Sequence, residues 1–286
     1  MKHLRTLLGD YPHTAALKAG AIPSDLLALD FVDYSPTNKG FKPMVREGAF
    51  DVSEMAIVTH LMAKSFSKPM VLLPNVVLAR FQHGFGLYHA RSGELTPRDL
   101  NGKRIGIRSF TTTTGAWLRG ILTEDYAVDL GSIDWVTFED AHVAEFMDTT
   151  KRAPAGKQII QMLLDGELDA VLGEKSDHPE LKPLFPDVAA EEKAWFAKHG
   201  VLPVNHMVVV KQELSDKNPD AVREVHRLLQ ESAKGSPAAP RFSQSEMRRS
   251  LEMIIGYAAR QGLISRAFAV EELFDDVTRP LFEAIP

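Results

Sequence analysis

His13, Glu54, His83 and His206 are the side chains of this sequence best suited to moving a proton. Histidine titrates near neutrality and serves as a general acid or base, and a carboxylate beside it can orient the ring or a substrate hydroxyl. Arg80, Arg108 and Glu174 fall, like them, at the end of an expected strand or in an expected crossing segment, and Tyr11 lies two residues before His13. Side chains placed in this way gather at the carboxyl edge of a sheet, where open α/β folds bind ligands. Each histidine, taken singly, equally suits an ordinary internal hydrogen bond. His13, His83, Glu54 and His206 are also acceptable metal-ligand types, but no His-x-His or His-Glu-x-x-His spacing supports a metal, and no cofactor is expected. A Gly-x-Ser-x-Gly elbow, a P-loop and a Gly-x-Gly-x-x-Gly turn are all absent. Gly84-Phe85-Gly86 reads as a hinge, and His60, which is neither three nor four residues from Glu54, reads as core or surface.

A second kind of chemistry is written in residues 103–122. Ile105, Gly106 and Ile107 form a short apolar strand, followed by Arg108, Ser109, Phe110 and four consecutive threonines, Thr111, Thr112, Thr113 and Thr114. Trp117, Leu118, Ile121 and Leu122 then follow with helical spacing. Hydroxyl side chains cap helix starts by accepting from free backbone N–H groups, and a helix start carries partial positive charge. The joint is therefore a seat for a carboxylate or phosphate, with Arg108 as a bidentate partner. A plain strand–loop–helix joint with its cap would use the same residues.

The elements that must position these groups alternate between strand and helix. Strands are expected over residues 5–8, 26–34, 48–56 and 70–77, with Glu54 delivered by the end of the third. Residues 80–90 read as a crossing strand, and residues 133–137, 168–174 and 202–210 as further strands. Amphipathic spacing predicts helices over 220–234 and 245–261, and a last packing helix over 270–281. The blocks imply two α/β lobes joined by two crossing segments, residues 1–82 with 206–286 and residues 83–205, with a central cleft between them. Ligands favour such interfaces.

The composition narrows the class. The chain has 286 residues, 44% hydrophobic and 25% charged, as in ordinary globular proteins. A formal net charge of −5 offers no basic field for nucleic acid or an anionic membrane. The absence of cysteine excludes disulfides, thiolate metal sites and a cysteine nucleophile. No apolar stretch is long enough for a signal h-region or a membrane span, so a cytoplasmic protein is expected.

In order along the chain, Asp10-Tyr11-Pro12-His13-Thr14, Phe50-Asp51-Val52-Ser53-Glu54-Met55 and Arg80-Phe81-Gln82-His83 resemble segments of the 4,5-dihydroxyphthalate decarboxylase family, a branch of the type II periplasmic-binding-protein fold. Asp99-Leu100-Asn101-Gly102-Lys103-Arg104-Ile105-Gly106, Trp117-Leu118-Arg119-Gly120-Ile121-Leu122, Asp165-Gly166-Glu167-Leu168-Asp169-Ala170, Leu184-Phe185-Pro186 and Pro203-Val204-Asn205-His206 continue the series. The resemblance spans most of residues 5–235. It departs at residues 109–114, where the family commonly carries a loop containing a glutamate and a tyrosine. It implies a two-lobed fold of that type and non-oxidative decarboxylation of a hydroxylated aromatic acid bound in the cleft. On that view His13, His83 or His206 is the general acid, with Glu54 orienting a histidine or a ring hydroxyl. Tyr11, Arg80, Arg108, Ser109, Thr111, Thr112, Thr113 and Glu174 would contact the substrate. The implied partner is a small aromatic or organic acid, and a homodimer is compatible with it. The rival reading is a solute-binding protein or sensor that holds an organic anion without turnover. A third is another lyase of the same fold, such as the chorismate-dehydrating enzymes, which fit the motif series less well.

Overall fold

A computed structural model describes residues 1–286. The chain divides into two compact units, the first made of Met1–Ala79 and Val204–Pro286, the second of Arg80–Pro203. The first unit opens with β1 (Lys2–Leu7), α1 (Ala15–Lys18), β2 (Leu27–Phe31), α2 (Phe41–Glu47), β3 (Val52–Ala56), α3 (Ile57–Ser65) and β4 (Met70–Ala79). The second contributes β5 (Gly86–His89), β6 (Arg104–Ile107), α4 (Thr113–Tyr126), β7 (Asp134–Thr137), β8 (Lys151–Arg152), α5 (Ile159–Leu164), β9 (Ala170–Leu172), β10 (Leu181–Pro183) and α6 (Val188–His199). The chain then re-enters the first unit with β11 (Val204–Lys211), α7 (Gln212–Lys217), α8 (Pro219–Lys234), α9 (Gln244–Arg260) and α10 (Arg279–Glu283).

The sheet of the first unit runs β2-β1-β3-β11-β4. β1 pairs in parallel with β2 and β3, and the returning β11 lies antiparallel between β3 and β4. The central pair is covered on both faces: every residue of β3 is buried, as are Met207, Val208, Val209 and Val210 of β11. Strands covered on both sides read as continuous apolar runs rather than as alternating ones. α8 buries Ala221, Val222, Val225, Leu228 and Leu229, the spacing of a single helical stripe, in one cluster with Leu4, Leu73 and Val208. The sheet of the second unit runs β10-β5-β9-β6-β7-β8, parallel from β9 to β8 and antiparallel where β5 joins β9 and β10.

Three stretches differ from the sequence expectation. Residues 80–90 are not one strand: pairing begins only at Gly86, opposite Leu172, and a 3-10 turn fills His83–Phe85. A Cβ at Gly86 would lie 3.0 Å from the Leu184 Cβ, so the glycine there permits the close approach of Leu184. The expected last helix is broken. A 3-10 turn at Val270–Leu273 ends, the Asp275 carboxylate accepts the Val277 and Thr278 backbone N–H groups, and α10 starts afresh at Arg279 with Pro280 in its first turn. A side chain competing for backbone donors, followed by a residue lacking one, favours a turn over a continuous helix. The units meet at residues 79/80 and 203/204 rather than 82/83 and 205/206, because Val204 already pairs with Ala79 in the first sheet.

Candidate active site

Within the first unit, Glu54 is the centre of a hydrogen-bonded cluster. It sits in the middle of β3, not at its end, and is fully buried. On the neighbouring β11, Val208 lies opposite Glu54 and His206 opposite Ala56, so the period of two puts His206 and Glu54 on one face as a diagonal pair. The His206 Nδ1 donates to the Glu54 Oε1 at 2.7 Å, and the Tyr11 hydroxyl donates to the same oxygen at 2.7 Å. The Gly9 backbone N–H donates to Oε2 at 2.8 Å. Burial pushes the Glu54 carboxyl up, but the three donors outweigh it and hold the group below the ordinary carboxylate range. Glu54 is thus the ionised anchor of the cluster. It fixes the proton on the His206 Nδ1 and leaves Nε2, on a ring 19% exposed, to face an external partner. Phe41 braces the ring edge-on at a centroid distance of 5.2 Å.

The loop after β1 builds the other side of this cluster. The Thr14 hydroxyl donates to the Gly9 carbonyl at 2.8 Å and accepts the Tyr11 N–H at 3.0 Å, tying the turn that presents Tyr11. Gly9 is required by close approach: a Cβ there would lie 2.7 Å from the Tyr11 Cε2 and 2.9 Å from the Glu54 Oε2. Gly9→Ala is expected to displace Tyr11 or Glu54 and to lower the melting temperature by several degrees, as measured by calorimetry, because a strained, crowded site costs about 1–3 kcal/mol.

His13 is part of the same loop but is differently employed. Its ring stacks on Tyr11 at 5.1 Å with a 12° interplanar angle, and its Nε2 donates to the Val77 carbonyl at 3.1 Å. Burial lowers its pKa, partly offset by that carbonyl and by the Glu54 charge, so the ring is neutral at pH 7. His13 supports Tyr11 rather than offering a proton.

In the second unit, Thr112 is the N-cap of α4, its hydroxyl accepting from the Gly115 N–H at 3.3 Å. The Ser109 and Thr111 hydroxyls face each other at 3.1 Å, and the Ser109 carbonyl accepts from the Thr112 N–H and hydroxyl. Ser109, Thr111 and Thr112 therefore spend hydrogen bonds on building the loop, while Thr113 is buried in the first turn. Arg80 reaches this helix start: its Nη2 donates to the Thr114 hydroxyl at 3.4 Å, and its guanidinium lies 4.0 Å from the centre of the Phe85 ring. Lys175 approaches the same ring at 4.4 Å, so two cations share one aromatic support beside an N-capped helix. Arg108 is half-buried and its charge faces Glu174, whose carboxyl is pushed up by burial and by Glu139 and only partly restrained by Arg108.

His83 joins neither cluster. It is buried edge-on against Phe185 at 4.9 Å and Trp195 at 6.0 Å, and neither ring nitrogen has a hydrogen-bond partner within the protein. Burial lowers its pKa to about 4. His60 is similar, buried in α3 without a hydrogen bond and with its pKa lowered to about 3 by burial. No three histidine, aspartate or glutamate side chains gather as a metal-binding set.

The sequence reading missed two contributors. Arg119 is wholly buried in α4, donates to the Phe110 carbonyl at 2.7 Å and stacks on the Phe110 ring at 3.9 Å, fixing the loop from behind. Burial lowers its pKa to about 9. An arginine inside an otherwise apolar helical repeat was its only sequence signal. Lys175, the second cation on Phe85, had none beyond its neighbour Glu174.

No family model matches the chain. A protein named 4,5-dihydroxyphthalate decarboxylase from Comamonas testosteroni is 27% identical over 232 residues, covering 76% of this chain and 70% of its own length. A protein of the same name from Pseudomonas putida is 24% identical over 210 residues, 68% of this chain and 81% of its own. The chain is thus similar, over about 70% of its length, to two proteins named 4,5-dihydroxyphthalate decarboxylase. Its fold is that of type II periplasmic-binding proteins. The alkanesulfonate-binding protein SsuA from Xanthomonas axonopodis pv. citri superposes with a TM-score of 0.57 over 96% of this chain and 98% of its own, at 12% identity, a likeness of fold alone. No helix is long and apolar enough to cross a membrane.

Proposed function

We propose that this protein is a non-oxidative decarboxylase of a hydroxylated aromatic acid of the 4,5-dihydroxyphthalate type, acting in the cytoplasm. The observation that carries the proposal is the buried, ionised Glu54 that holds both the Tyr11 hydroxyl and the His206 Nδ1 at 2.7 Å. In the reaction the bond between the ring carbon and its carboxylate breaks, and the electron pair stays on the ring carbon. A proton from His206 Nε2 forms the new C–H bond, and carbon dioxide leaves. The dicarboxylate and one proton thus give the monocarboxylate and carbon dioxide, and His206 regains its proton from solvent. Glu54 stabilises the charged imidazolium before transfer and fixes its orientation, while the Tyr11 hydroxyl tempers the carboxylate so that it does not keep the proton. Arg80, Arg108 and the capped start of α4 are assigned the substrate's carboxylates, through charge-assisted hydrogen bonds and the helix-end charge. The proposal requires no metal.

Support comes from the two relatives' shared name and from the chemistry of the Glu54 cluster. Liquid chromatography of the protein incubated with 4,5-dihydroxyphthalate is expected to show catalytic formation of 3,4-dihydroxybenzoate, unchanged by a chelator. Chelator-sensitive turnover would overturn the metal-free chemistry. Stabilisation by the acid without any product would overturn the decarboxylase reading in favour of a binding protein.

A further inference from the structure

A cavity of about 410 Å³ lies within the first unit, between β4, the end of α8 and the segment leading into α9. That volume lies in the range of small-molecule sites. It exists because β4 bulges: Leu73 pairs with Val208 and Val76 with Met207, so Pro74 and Asn75 are skipped and pushed out of the ladder. Asn75 is fixed there by its Oδ1, 2.7 Å from the His226 Nδ1. The walls are largely apolar, among them Val76, Leu229, Ala233, Phe242 and Met247.

Two polar features mark the cavity as more than a packing fault. Arg241 and Lys234 both line it; Arg241 is exposed and makes no ion pair, whereas Lys234 pairs with Glu231 at 2.5 Å. His13 forms another part of the wall, and its Nδ1 is buried with no hydrogen-bond partner in the protein. An apolar chamber with one available guanidinium at its edge complements a compact apolar body carrying a single negative charge.

We propose that this cavity is a second binding site, distinct from the Glu54–His206 cluster, for a small apolar monocarboxylate. The apolar body fills the space between β4 and α8, and the carboxylate pairs with Arg241. His13 is shared between the cavity wall and the stack on Tyr11.

The test uses the full chain and 2-naphthoate, titrated by calorimetry, so its readout does not depend on turnover. Binding is expected to weaken at least tenfold in Ala233→Trp, which fills the chamber, and about fivefold or more in Arg241→Gln. The uncharged 2-naphthol is expected to bind at least fivefold more weakly than the acid. His206→Gln is expected to bind 2-naphthoate as the unaltered protein does. Arg241 is exposed, so its variant keeps the test valid if Ala233→Trp fails to fold. No binding at millimolar 2-naphthoate, binding indifferent to Arg241→Gln, or binding lost in His206→Gln would each overturn the proposal.

Discussion

His206→Gln is expected to slow decarboxylation by about 10²–10⁴-fold, the contribution of a positioned general acid. Glutamine retains a hydrogen bond to Glu54 but has no proton to give at neutral pH. Glu54→Gln is expected to cost about 10–10²-fold, because the imidazolium loses its counter-charge while Tyr11 and Gly9 remain nearby. His83→Gln should leave kcat within about threefold in whatever fraction folds, since His83 is buried among Phe185 and Trp195. Steady-state kinetics on the three variants separate these outcomes. The pH profile adds a signed expectation. The Glu54 carboxyl is held below its ordinary 4.5, so its protonation limits activity only below that pH. A loss of activity on going from pH 7 to pH 5 cannot be assigned to Glu54.

Acid is expected to unfold this protein well before its carboxylates are titrated. His60, His83 and His226 are buried, and burial lowers their pKa values from 6.5 to about 3, 4 and 4. The unfolded chain therefore binds protons that the folded chain refuses. Stability is whole above about pH 6.5 and is lost as the pH falls from there towards the folded values. Between pH 7 and pH 5 each such group removes up to about 2 kcal/mol. Together they would take a large part of the 5–15 kcal/mol typical of a folded domain. His60→Met tests the origin of the effect. His60 makes no hydrogen bond, so an adaptable apolar side chain should hold or raise stability at pH 7. It should also cut the loss between pH 7 and pH 5 by about 2 kcal/mol, as read from urea midpoints. A pH dependence unaltered by the substitution would contradict this account.

The fold was legible where periodicity and punctuation agree. Before its terminal Lys211 the β11 run is apolar except at Asn205 and His206, and that interruption marks a strand carrying polar groups. Glu54 in an apolar strand gave the same signal. What a sequence cannot show is the register that makes His206 and Glu54, 152 residues apart, diagonal neighbours. The limits are visible in the other histidines. His83 follows an arginine and a glutamine in a polar-looking segment, yet it is swallowed by aromatic side chains drawn from residues a hundred positions later. The last helix failed for a local reason, since Asp275 and Pro280 outweigh an apolar spacing that looked continuous. Arg119 was hard to place because α4 is buried from Gly115 to Leu122, so no helix face signals that an arginine there is turned inward.

The central claim, that His206 delivers the proton replacing carbon dioxide, is tested most directly by single-turnover decarboxylation of 4,5-dihydroxyphthalate in D2O. The expected result is 3,4-dihydroxybenzoate carrying one deuterium at the vacated ring carbon, formed at least about 100-fold more slowly by His206→Gln while substrate affinity stays within about threefold. Formation of the deuterated product by His206→Gln at the unaltered rate would contradict it.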